Sequence, residues 1–459
     1  MKAGFGISDI TPRLGVQLAG YGPYRNRAAR EIVAPLSARA LVLSAGRRLT
    51  VLLSLELCGT PRDLAEKIRR VTAARVGCRE RDVFLSVTHT HSAPAVGGMF
   101  GWGEADMMYV ETLPVRAAEA AGRALEALGE VEWRHGVGPC EGVAVNRESD
   151  QGFARYADFA ERMDPSWRPQ FPQRTDPIVR VLAAYANGRL VGLLHHFGCH
   201  PVVYGEQTAA IHGDYAGMAS RQLEKSKPGS VAIFLPGALG DINPKLNHRP
   251  PAESLKALRA ITRLYAAAVS GAMRSAEVIP VRPVRTIHRQ AVFQRQRWTR
   301  HRVEQRIDEL ERIFVVAGIT DFPHTGGQPP LLTNGMELAR LQGLRSLRDR
   351  WRGSRVPNPP VCLHGLRLGP VAILGCGLEL YASLQAPIAA ASPHRHTWLV
   401  SLVGGMGYAP DLEAVTKAGY SGDFVPLMCG EIPYRRVHEE LPRALIRLAR
   451  DLATTPRAR

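Results

Sequence analysis

The chain has 459 residues, enough for two or three small domains or for one large α/β enzyme. Hydrophobic residues make up 45% of the sequence and charged residues 22%, a balance that argues against a disordered chain and is typical of a soluble globular protein. No segment reaches the roughly 18 apolar residues of a membrane helix, and the N-terminus lacks the apolar core of a signal peptide. We therefore expect a single cytoplasmic domain over residues 1–459, without stable membrane insertion.

The formal net charge is +17, and arginines are spread from Arg13 to Arg459. The densest basic stretch, from Arg295 to Arg355, alternates arginine with Glu and Asp. This pattern favours a solvated basic surface, because charge statistics alone bear on solubility and association. Nucleic-acid binding is the less favoured alternative, and no recognised nucleic-acid motif supports it.

The seven cysteines occur singly, without a CxxC pair. The odd count and the spacing argue against a disulfide framework and against a cysteine-based zinc finger. We expect most of these residues to be buried thiols.

Short apolar runs predict buried strands, each followed by a glycine-rich or polar loop. They lie at Val83–Val87, 190–194, 231–235, 371–374 and 399–403. Helical patterns lie among them, at Arg62–Val76, 105–128 and 253–276. Because strands alternate with helices, the sequence predicts an α/β fold with a central mixed sheet flanked by helices. In such folds ligands bind beyond the carboxyl ends of the strands, and we expect the site there.

The helix at Arg62–Val76 has the clearest end signals. Thr60 is predicted to cap its N-terminus, with Pro61 at the first helical position and Asp63 in the first turn. Gly77 is predicted to end the helix, because glycine readily adopts the left-handed conformation found there.

The segment 296–353 differs in composition and is rich in Arg, Glu and Leu. It predicts a charged helical insertion, made of two amphipathic helices separated by a Pro- and Gly-containing loop at 322–330. The simpler interpretation is an ordinary peripheral helical pair. The alternatives are a lid over the site or a surface for forming a homo-oligomer.

The run VFLSVTHTHSAP places His89 and His91 directly after a predicted strand. Residues two apart in an extended segment point the same way, so both imidazoles can face one cavity. A neutral imidazole is a good zinc ligand. The HxH pattern is equally compatible with two surface or core histidines.

A second cluster, LLHHFGCHPVVYG, brings His195, His196 and His200 to the end of another strand. His200 is the favoured ligand, because it lies in the glycine-containing loop. His195 and His196 lie nearer the strand itself, where at least one of them must point away from any site.

Three more strand-and-glycine-loop segments end in polar residues: Glu379 in LGCGLELY, Asp241 and Asn243 in GDINP, and Tyr408 in GMGYAP. Glycines in these loops allow the close backbone approach that the floor of a crevice requires. Alone, Glu379 would be an exposed carboxylate. Two histidines and one glutamate with an open position form a recurring catalytic zinc set.

With these segments in place, the sequence resembles the catalytic domain of the neutral, non-lysosomal ceramidases through most of its length. The matching elements, in chain order, are GISDITP (6–12), AGYG, APLSARALVL, THTHSAP (88–94), VNRES (145–149), FGCHP, GDYAG, GDINP, LGCGLEL and GYAP. The resemblance implies that zinc is bound by His89, His200, Glu379 and Tyr408. It further implies that His91 and Tyr420 flank the substrate carbonyl and stabilise the oxyanion, and that Arg147 orients or polarises the substrate.

The chain also departs from the family pattern. Asn243 stands where the family has a serine proposed to take part in amide attack, and an amide side chain cannot act as that nucleophile. The sequence ends soon after the catalytic region, without the immunoglobulin-like C-terminal domain of the secreted enzymes. The resemblance therefore implies a divergent, cytoplasmic member of the family.

Together, these observations predict a zinc-dependent hydrolase that cleaves an amide, ester or lactone bond of a small or lipid-like substrate through a metal-activated water. Asp241 and Asp214 are candidates to take the proton, although an Asp after Gly in a turn often just bonds nearby backbone groups. Asn243 would position water or substrate. The alternative is a non-catalytic, metal-dependent ligand-binding protein derived from such an enzyme.

Overall fold

The structure is a computed structural model that describes residues 1–23, 26–149, 158–316, 332–353 and 356–454. In the described part of the chain the cysteines are free thiols, and the predicted absence of disulfides agrees with this. Among the helices of the described residues, none combines the length and the apolar character needed to cross a membrane.

The strands of the described residues carry labels β1 to β20 in chain order. They are β1 (Lys2–Asp9), β2 (Glu31–Ile32), β3 (Ser37–Ala45), β4 (Arg48–Leu55), β5 (Val83–Val87), β6 (Gly129–Glu130), β7 (Glu132–Pro139), β8 (Ala144–Asn146), β9 (Ile178–Ala186), β10 (Arg189–Phe197), β11 (Ala210–Ile211), β12 (Val231–Pro236), β13 (Ile242–Pro244), β14 (Glu277–Ile279), β15 (Val284–Ala291), β16 (Val361–Leu368), β17 (Val371–Cys376), β18 (Glu379–Leu380), β19 (His396–Val400) and β20 (Tyr408–Ala409).

The α-helices of the same residues are labelled α1 to α11. They are α1 (Arg62–Val76), α2 (Met107–Glu126), α3 (Phe159–Met163), α4 (Asp214–Ser226), α5 (Pro251–Arg274), α6 (Arg300–Val316), α7 (Leu332–Arg350), α8 (Gln385–Ala391), α9 (Leu412–Lys417), α10 (Val425–Met428) and α11 (Val437–Ala453).

Most strands belong to three sheets, whose strand orders are β5-β4-β3-β1-β6, β12-β10-β9-β7-β14 and β15-β16-β17-β19. Each sheet is largely antiparallel and contains one parallel pair at an edge: β4 with β5, β10 with β12, and β17 with β19. The α/β class with mixed sheets is therefore confirmed. The strands are divided among three sheets, however, and do not form the one central sheet that the sequence predicted.

The inner faces of the three sheets meet in a shared core. Phe5 and Phe84 come from the first sheet, Trp133 from the second, and Trp398 from the third, and all four belong to one buried cluster. The helices cover the outer faces: α1 and α2 pack on the first sheet, α4 and α5 on the second, and α8 and α11 on the third. A tight approach of α2 to β1 depends on Gly4, where a Cβ would lie 2.0 Å from the carbonyl oxygen of Ala124.

The predicted elements match the structure closely. β5 spans Val83–Val87 as predicted, and all five residues are buried, as expected of an apolar run covered on both faces. The helix α1 spans Arg62–Val76 and ends at Gly77, which has a φ of 78°. The predicted N-cap is wrong, because Pro61 occupies the cap position and no side chain bonds the free N–H groups. Thr60 is instead buried, and its hydroxyl has no hydrogen-bond partner.

The segment 296–353 contains the helices α6 and α7, and Arg345 of α7 pairs with Glu311 of α6 at 2.7 Å. The predicted loop at 322–330 lies outside the described residues. The helix α7 packs against α10. The contact is close at Gly343, where a Cβ would lie 1.8 Å from the carbonyl oxygen of Leu427.

Candidate metal centre

The candidate ligands follow the parallel strand pairs, one pair from each sheet. In the first sheet, Cys58 follows β4 and His89 follows β5. The backbone of His89 has a φ of 69°, in the left-handed region that non-glycine residues rarely adopt. Such strain persists only where the surrounding structure fixes it, and it is common at functional sites.

In the second sheet, His200 follows β10, and β13, which contains Asn243, lies beyond the end of the parallel partner β12. The backbone N–H of His200 donates to the carbonyl oxygen of Ile242 at 3.0 Å, which ties the two loops together. In the third sheet, Glu379 lies beyond β17 and Tyr408 beyond β19. These two residues pair in register, because they begin the parallel strands β18 and β20.

Three of these side chains meet at one point. His200 Nε2 lies 3.0 Å from Glu379 Oε2, and His89 Nε2 lies 3.5 Å from the same oxygen. The ligand atoms of His89, His200 and Glu379 all lie within 4.8 Å of one another, and each residue is buried. Two imidazoles and one carboxylate at this spacing can hold a metal ion.

The orientation of both imidazoles fits a metal ion. His89 Nδ1 lies 2.5 Å from the carbonyl oxygen of Cys58, and His200 Nδ1 lies 2.9 Å from that of Ile242. Because a carbonyl oxygen can only accept a hydrogen bond, each Nδ1 carries an N–H that donates to it, and each Nε2 faces the centre.

Two buried atoms of the centre also lack a hydrogen-bond partner, His200 Nε2 and Glu379 Oε2. Buried polar atoms without a partner are rare in folded proteins and call for an explanation. A metal ion at this point would satisfy both, so the residues present fit such a group.

The electrostatics of the centre favour a cation. Burial raises the pKa of Glu379, but the neighbouring His89 and His200 hold it well below its ordinary value of 4.5. Burial lowers the pKa of His89, but the Glu379 carboxylate and Cys58 outweigh this effect and hold it well above 6.5, so His89 loses a proton when its Nε2 binds a metal ion. Burial lowers the pKa of His200 to about 4, so that its imidazole is neutral near pH 7.

Arg147, Tyr408 and Tyr420 form one side of the centre. Arg147 Nη2 donates to the Tyr408 hydroxyl at 3.1 Å and to the carbonyl oxygen of Gly240 at 2.6 Å. Its guanidinium lies 5.5 Å from the ring centroid of Tyr408 and 5.8 Å from that of Tyr420. Burial raises the pKa of Tyr408 well above 10, although Arg147 opposes the shift.

His91 lies on another side of the centre, with its Nε2 3.3 Å from His89 Nε2. Removal from water, together with the neighbouring His89 and His200, holds the pKa of His91 well below 6.5. Its imidazole is therefore neutral and carries one N–H that can donate to a ligand.

The centre forms the floor of a pocket of about 410 Å³. His91, Arg147, Asn243, Tyr408 and Tyr420 all line it together with the three candidate ligands. The rest of the wall is mainly apolar and includes Met99, Trp102, Val202, Leu402, Met406 and Val425. This combination suits a ligand with a polar group at the floor and an apolar body above it.

The two candidate proton acceptors lie elsewhere. The Asp241 carboxylate accepts from Asn146 Nδ2 at 2.6 Å and from the Ala382 N–H at 2.8 Å, and Asp241 lines a separate polar cavity. Asp214 is fully buried and accepts from three backbone N–H groups. Asp214 bonds nearby backbone groups, as the simpler interpretation expected, whereas Asp241 bonds the distant residues Asn146 and Ala382.

Among the histidines of the second cluster, only His200 lines the pocket. His195 Nδ1 lies 2.9 Å from the hydroxyl of Tyr265, and His196 Nε2 lies 2.7 Å from the carbonyl oxygen of Leu399. Both belong to β10 and are fully buried. Their position in the strand, and not in the loop that holds His200, keeps them out of the pocket.

Sequence reasoning missed several residues of the pocket, including Cys58 and Glu148. A signal for Cys58 was available, because it follows the apolar strand that precedes the His89 strand. Glu148 adjoins Arg147 in the VNRES element. Trp102 and Met406 lie in glycine-rich loops, and no pattern in the sequence indicates which loop side chains turn inward.

The fold and the site define an α/β protein with a buried His–His–Glu centre where three parallel strand pairs end. The model of the neutral/alkaline non-lysosomal ceramidase family, N-terminal part, matches residues 1–254, more than half of the chain. The chain belongs to this family of hydrolases. His89 and His200 lie within the matched residues, whereas Glu379 and Tyr408 lie beyond them.

Two solved structures share the fold. The neutral ceramidase from Pseudomonas aeruginosa superposes with a TM-score of 0.71 at 20% sequence identity, over 100% of this chain and 76% of that chain. A ceramidase complexed with C2 superposes with a TM-score of 0.70, also at 20% identity, over 100% of this chain and 77% of that one. At this level of identity, the superpositions establish the fold alone.

Proposed function

We propose that the protein is a zinc-dependent hydrolase that cleaves an amide, ester or lactone bond of a small or amphiphilic molecule. The observation that carries the proposal is the convergence of His89, His200 and Glu379 at the floor of an apolar-walled pocket, with the buried His200 Nε2 and Glu379 Oε2 unpartnered. Family membership supports the hydrolase class, and the amide bond is the favoured target by analogy with the relatives.

His89, His200 and Glu379 would hold the zinc, and Tyr408 is the proposed fourth ligand. Zinc bound in such a set supplies Lewis acidity and lowers the pKa of water to about 7. The Tyr408 hydroxyl accepts from Arg147, a cation that favours partial negative charge on the phenol oxygen.

His91 and Tyr420 are proposed to stabilise the oxyanion that forms during acyl transfer. Both line the pocket, and each offers a neutral donor, an imidazole N–H and a phenol O–H. Fixed donors aimed at a developing negative charge are usually a large part of catalysis.

Asn243 is proposed to position the substrate. It is buried at the pocket wall, and its side-chain oxygen has no hydrogen-bond partner. That oxygen can accept from an N–H or O–H of the substrate, which is a positioning role and not a nucleophilic one.

Arg147 and Asp241 complete the proposed site. Arg147 orients the substrate with its guanidinium. Asp241 is a positioning residue that acts through Arg147. The backbone N–H of Arg147 donates to the backbone oxygen of Asp241 at 2.8 Å, while the Asp241 carboxylate holds the Asn146 and Ala382 segments together.

A panel of N-acyl amides, esters and lactones tests this proposal, with the purified chain prepared after chelation and again after addition of zinc. We expect turnover of an N-acyl substrate that chelation abolishes and zinc restores. Turnover that survives complete removal of metal contradicts the zinc centre. Tight binding of the same compounds without turnover favours the alternative of a non-catalytic binding protein, which the replacement of the family serine by Asn243 also favours.

A further inference from the structure

A second ionisable pair lies in the wall of the metal pocket, apart from the candidate ligands. His248 lines the pocket, and its Nδ1 lies 2.8 Å from Glu206 Oε2. The side chain of Glu206 is 6% exposed, whereas that of His248 is 26% exposed. The pair therefore joins a buried carboxylate to an imidazole that both borders the pocket and reaches solvent.

The pair is built from the two loops that carry His200 and Asn243. Glu206 lies between β10 and β11, in the same loop as His200, and His248 lies between β13 and α5, shortly after Asn243. The hydrogen bond from the His200 N–H to the Ile242 carbonyl oxygen joins these two loops. The part of the fold that positions the metal centre thus also positions the pair.

The backbone around the pair is strained. The φ of His248 is 51° and that of Tyr21 is 65°, in the left-handed region that bulky residues rarely adopt. Both residues line the pocket, as does His89, whose backbone has the same kind of strain. Such strain persists only where the surrounding structure fixes it, and it is common at functional sites. The strain therefore links His248 to the same pocket as the metal centre.

Tyr21 holds the pair on the same wall as a proposed oxyanion donor. The ring of Tyr21 meets that of His91 edge-on, with 5.1 Å between the ring centroids, and meets that of His248 edge-on at 5.8 Å. The Tyr21 hydroxyl donates to the carbonyl oxygen of Tyr204 at 2.5 Å, which fixes the ring. His91 and His248 are thus both held against one aromatic ring.

From this geometry we infer that His248 is a catalytic residue that carries a proton to the leaving group, and that Glu206 is its positioning residue. The Nδ1–H of His248 donates to the Glu206 carboxylate, so Nε2 is the nitrogen that exchanges a proton in the pocket. This inference rests on the proposed function, which supplies the scissile bond and the attacking water.

The proton balance of this step is simple. As the oxygen of the attacking water bonds the carbonyl carbon, His248 Nε2 takes one proton of that water. The bond between the carbonyl carbon and the leaving nitrogen then breaks, and the nitrogen keeps the electron pair. His248 gives its proton to this nitrogen, so the amine leaves neutral and the imidazole returns to its starting state.

The test uses two substrates with the same acyl group, an N-acyl alkylamine and a p-nitrophenyl ester. The alkylamine needs a proton to leave, whereas p-nitrophenolate does not. Wild type is compared with His248→Asn and Glu206→Gln. Asn tolerates the left-handed backbone well but cannot carry the proton. The control is Met99→Ala, which changes the lining of the same pocket without removing an ionisable group.

We expect His248→Asn to lower kcat/KM for the amide by about 100-fold or more, and to lower kcat/KM for the ester by a factor at least about ten times smaller. Glu206→Gln should give a smaller loss with the same dependence on the leaving group, which keeps the test open if His248→Asn does not fold. The zinc content of both variants should equal that of wild type, because neither residue is a candidate ligand.

Equal losses on the two substrates, or no loss, in both variants overturn the inference. An amide-specific loss in Met99→Ala also overturns it, because the effect would then follow from the shape of the pocket. Wild-type turnover together with either of these results rejects the role of His248 alone. A wild type that hydrolyses neither substrate after addition of zinc rejects the proposed function and the inference with it.

Discussion

Among the buried polar atoms without partners in the described residues, two cases contrast. His200 Nε2 and Glu379 Oε2 face each other on the floor of a pocket, where a cation would satisfy both. The hydroxyl of Thr60 is also buried and unpartnered, but Thr60 does not line the pocket. The first setting indicates function, whereas the second is a local cost of folding.

Thr60→Val tests that difference at the start of α1. Because the hydroxyl makes no hydrogen bond, its replacement by a methyl group of similar shape should leave the free energy of unfolding unchanged within about 0.5 kcal/mol, or raise it. The control is Asp106→Ala. Asp106 caps α2 by accepting from the N–H groups of Met108 and Tyr109, so its replacement should lower the free energy of unfolding by about 1 kcal/mol. Urea denaturation measures the free energy of unfolding of both variants. A loss in Thr60→Val equal to that in Asp106→Ala would show that Thr60 caps α1.

The titration of Asp241 gives a prediction about pH. Burial raises its pKa from 3.8 to about 7, so between these values the folded chain keeps a proton that the unfolded chain has released. Stability therefore falls as pH rises through this range, by up to about 1.4 kcal/mol per pH unit. Asp241→Asn removes the titration, and its free energy of unfolding relative to wild type should increase with pH until about pH 7, where the difference levels off.

Urea denaturation at a series of pH values measures this difference, and the other titrating groups are common to both proteins. The amide of Asn also replaces one carboxylate oxygen by a donor, which shifts the whole curve by a constant amount. A difference that stays flat over this range would show that the Asp241 carboxyl is ionised throughout it and would contradict the raised pKa.

At the residue scale, the sequence predicted the pocket residues that come directly after a strand better than those that lie farther along a loop. His89, His200 and Glu379 could be found because each follows an apolar run closely, two or three residues after the end of the observed strand. Asp241 belongs to the same kind of loop, yet its carboxylate bonds Asn146 and Ala382 and does not line the metal pocket. Sequence spacing places a residue near an edge of a sheet, but packing in three dimensions decides which way its side chain points.

Among the elements, the parallel strand pairs decide where the site forms. Each sheet has one such pair at an edge, and a residue of the candidate centre follows each pair. Periodicity predicted these strands because they are short apolar runs. It could not predict their division into three sheets, since long-range pairing leaves no local pattern in the sequence.

The packing of α7 on α10 gives a prediction at this scale. A Cβ at Gly343 would lie 1.8 Å from the Leu427 carbonyl oxygen, so Gly343→Ala should force the helices apart and cost about 1–3 kcal/mol. The matched control is Gly271→Ala in α5, where a Cβ would meet only the end of the Arg274 side chain at 3.7 Å. That variant should gain up to about 1 kcal/mol from helix propensity.

Thermal or urea denaturation of the two variants provides the measurement. Val425, in the helix that α7 contacts, lines the metal pocket, so Gly343→Ala should also lower turnover of an N-acyl substrate while Gly271→Ala should not. Equal stability of both variants would contradict the close contact between α7 and α10.

For the whole molecule, the candidate ligands connect its three sheets. His89 belongs to a loop of the first sheet, His200 to the second and Glu379 to the third. Zinc should therefore stabilise the entire fold and not a single loop, because a ligand that binds only the folded chain stabilises it by mass action.

Removal of metal should therefore lower the midpoint of thermal unfolding by several degrees, and zinc should restore it. At a free-metal concentration about a thousand times the Kd, the stabilisation is about 4 kcal/mol. Scanning calorimetry with and without a chelator measures it, and a Glu379→Gln variant should show no difference. An identical midpoint in all these samples would mean that no ion connects the sheets.

Some predictions for the whole molecule remain predictions. They are a single domain over residues 1–459, a homo-oligomer, the role of the helical insertion at 296–353 as a peripheral pair, a lid or an oligomer surface, and a cytoplasmic location. The predicted helices of the insertion are present as α6 and α7, and Arg345 and Glu311 link them. Their role as a lid or a contact surface depends on long-range packing, which composition does not encode.

The zinc content of the purified chain tests the His–His–Glu centre most sharply, measured in wild type, His200→Ala, Glu379→Gln and the control His301→Ala. His301 is an exposed histidine of α6 outside the pocket. We expect about one zinc per chain in wild type and in His301→Ala, as for one three-residue centre, and a loss of zinc in the other two variants. Undiminished zinc in His200→Ala and Glu379→Gln, or no zinc in wild type under zinc-replete conditions, would contradict the centre on which the proposed function rests.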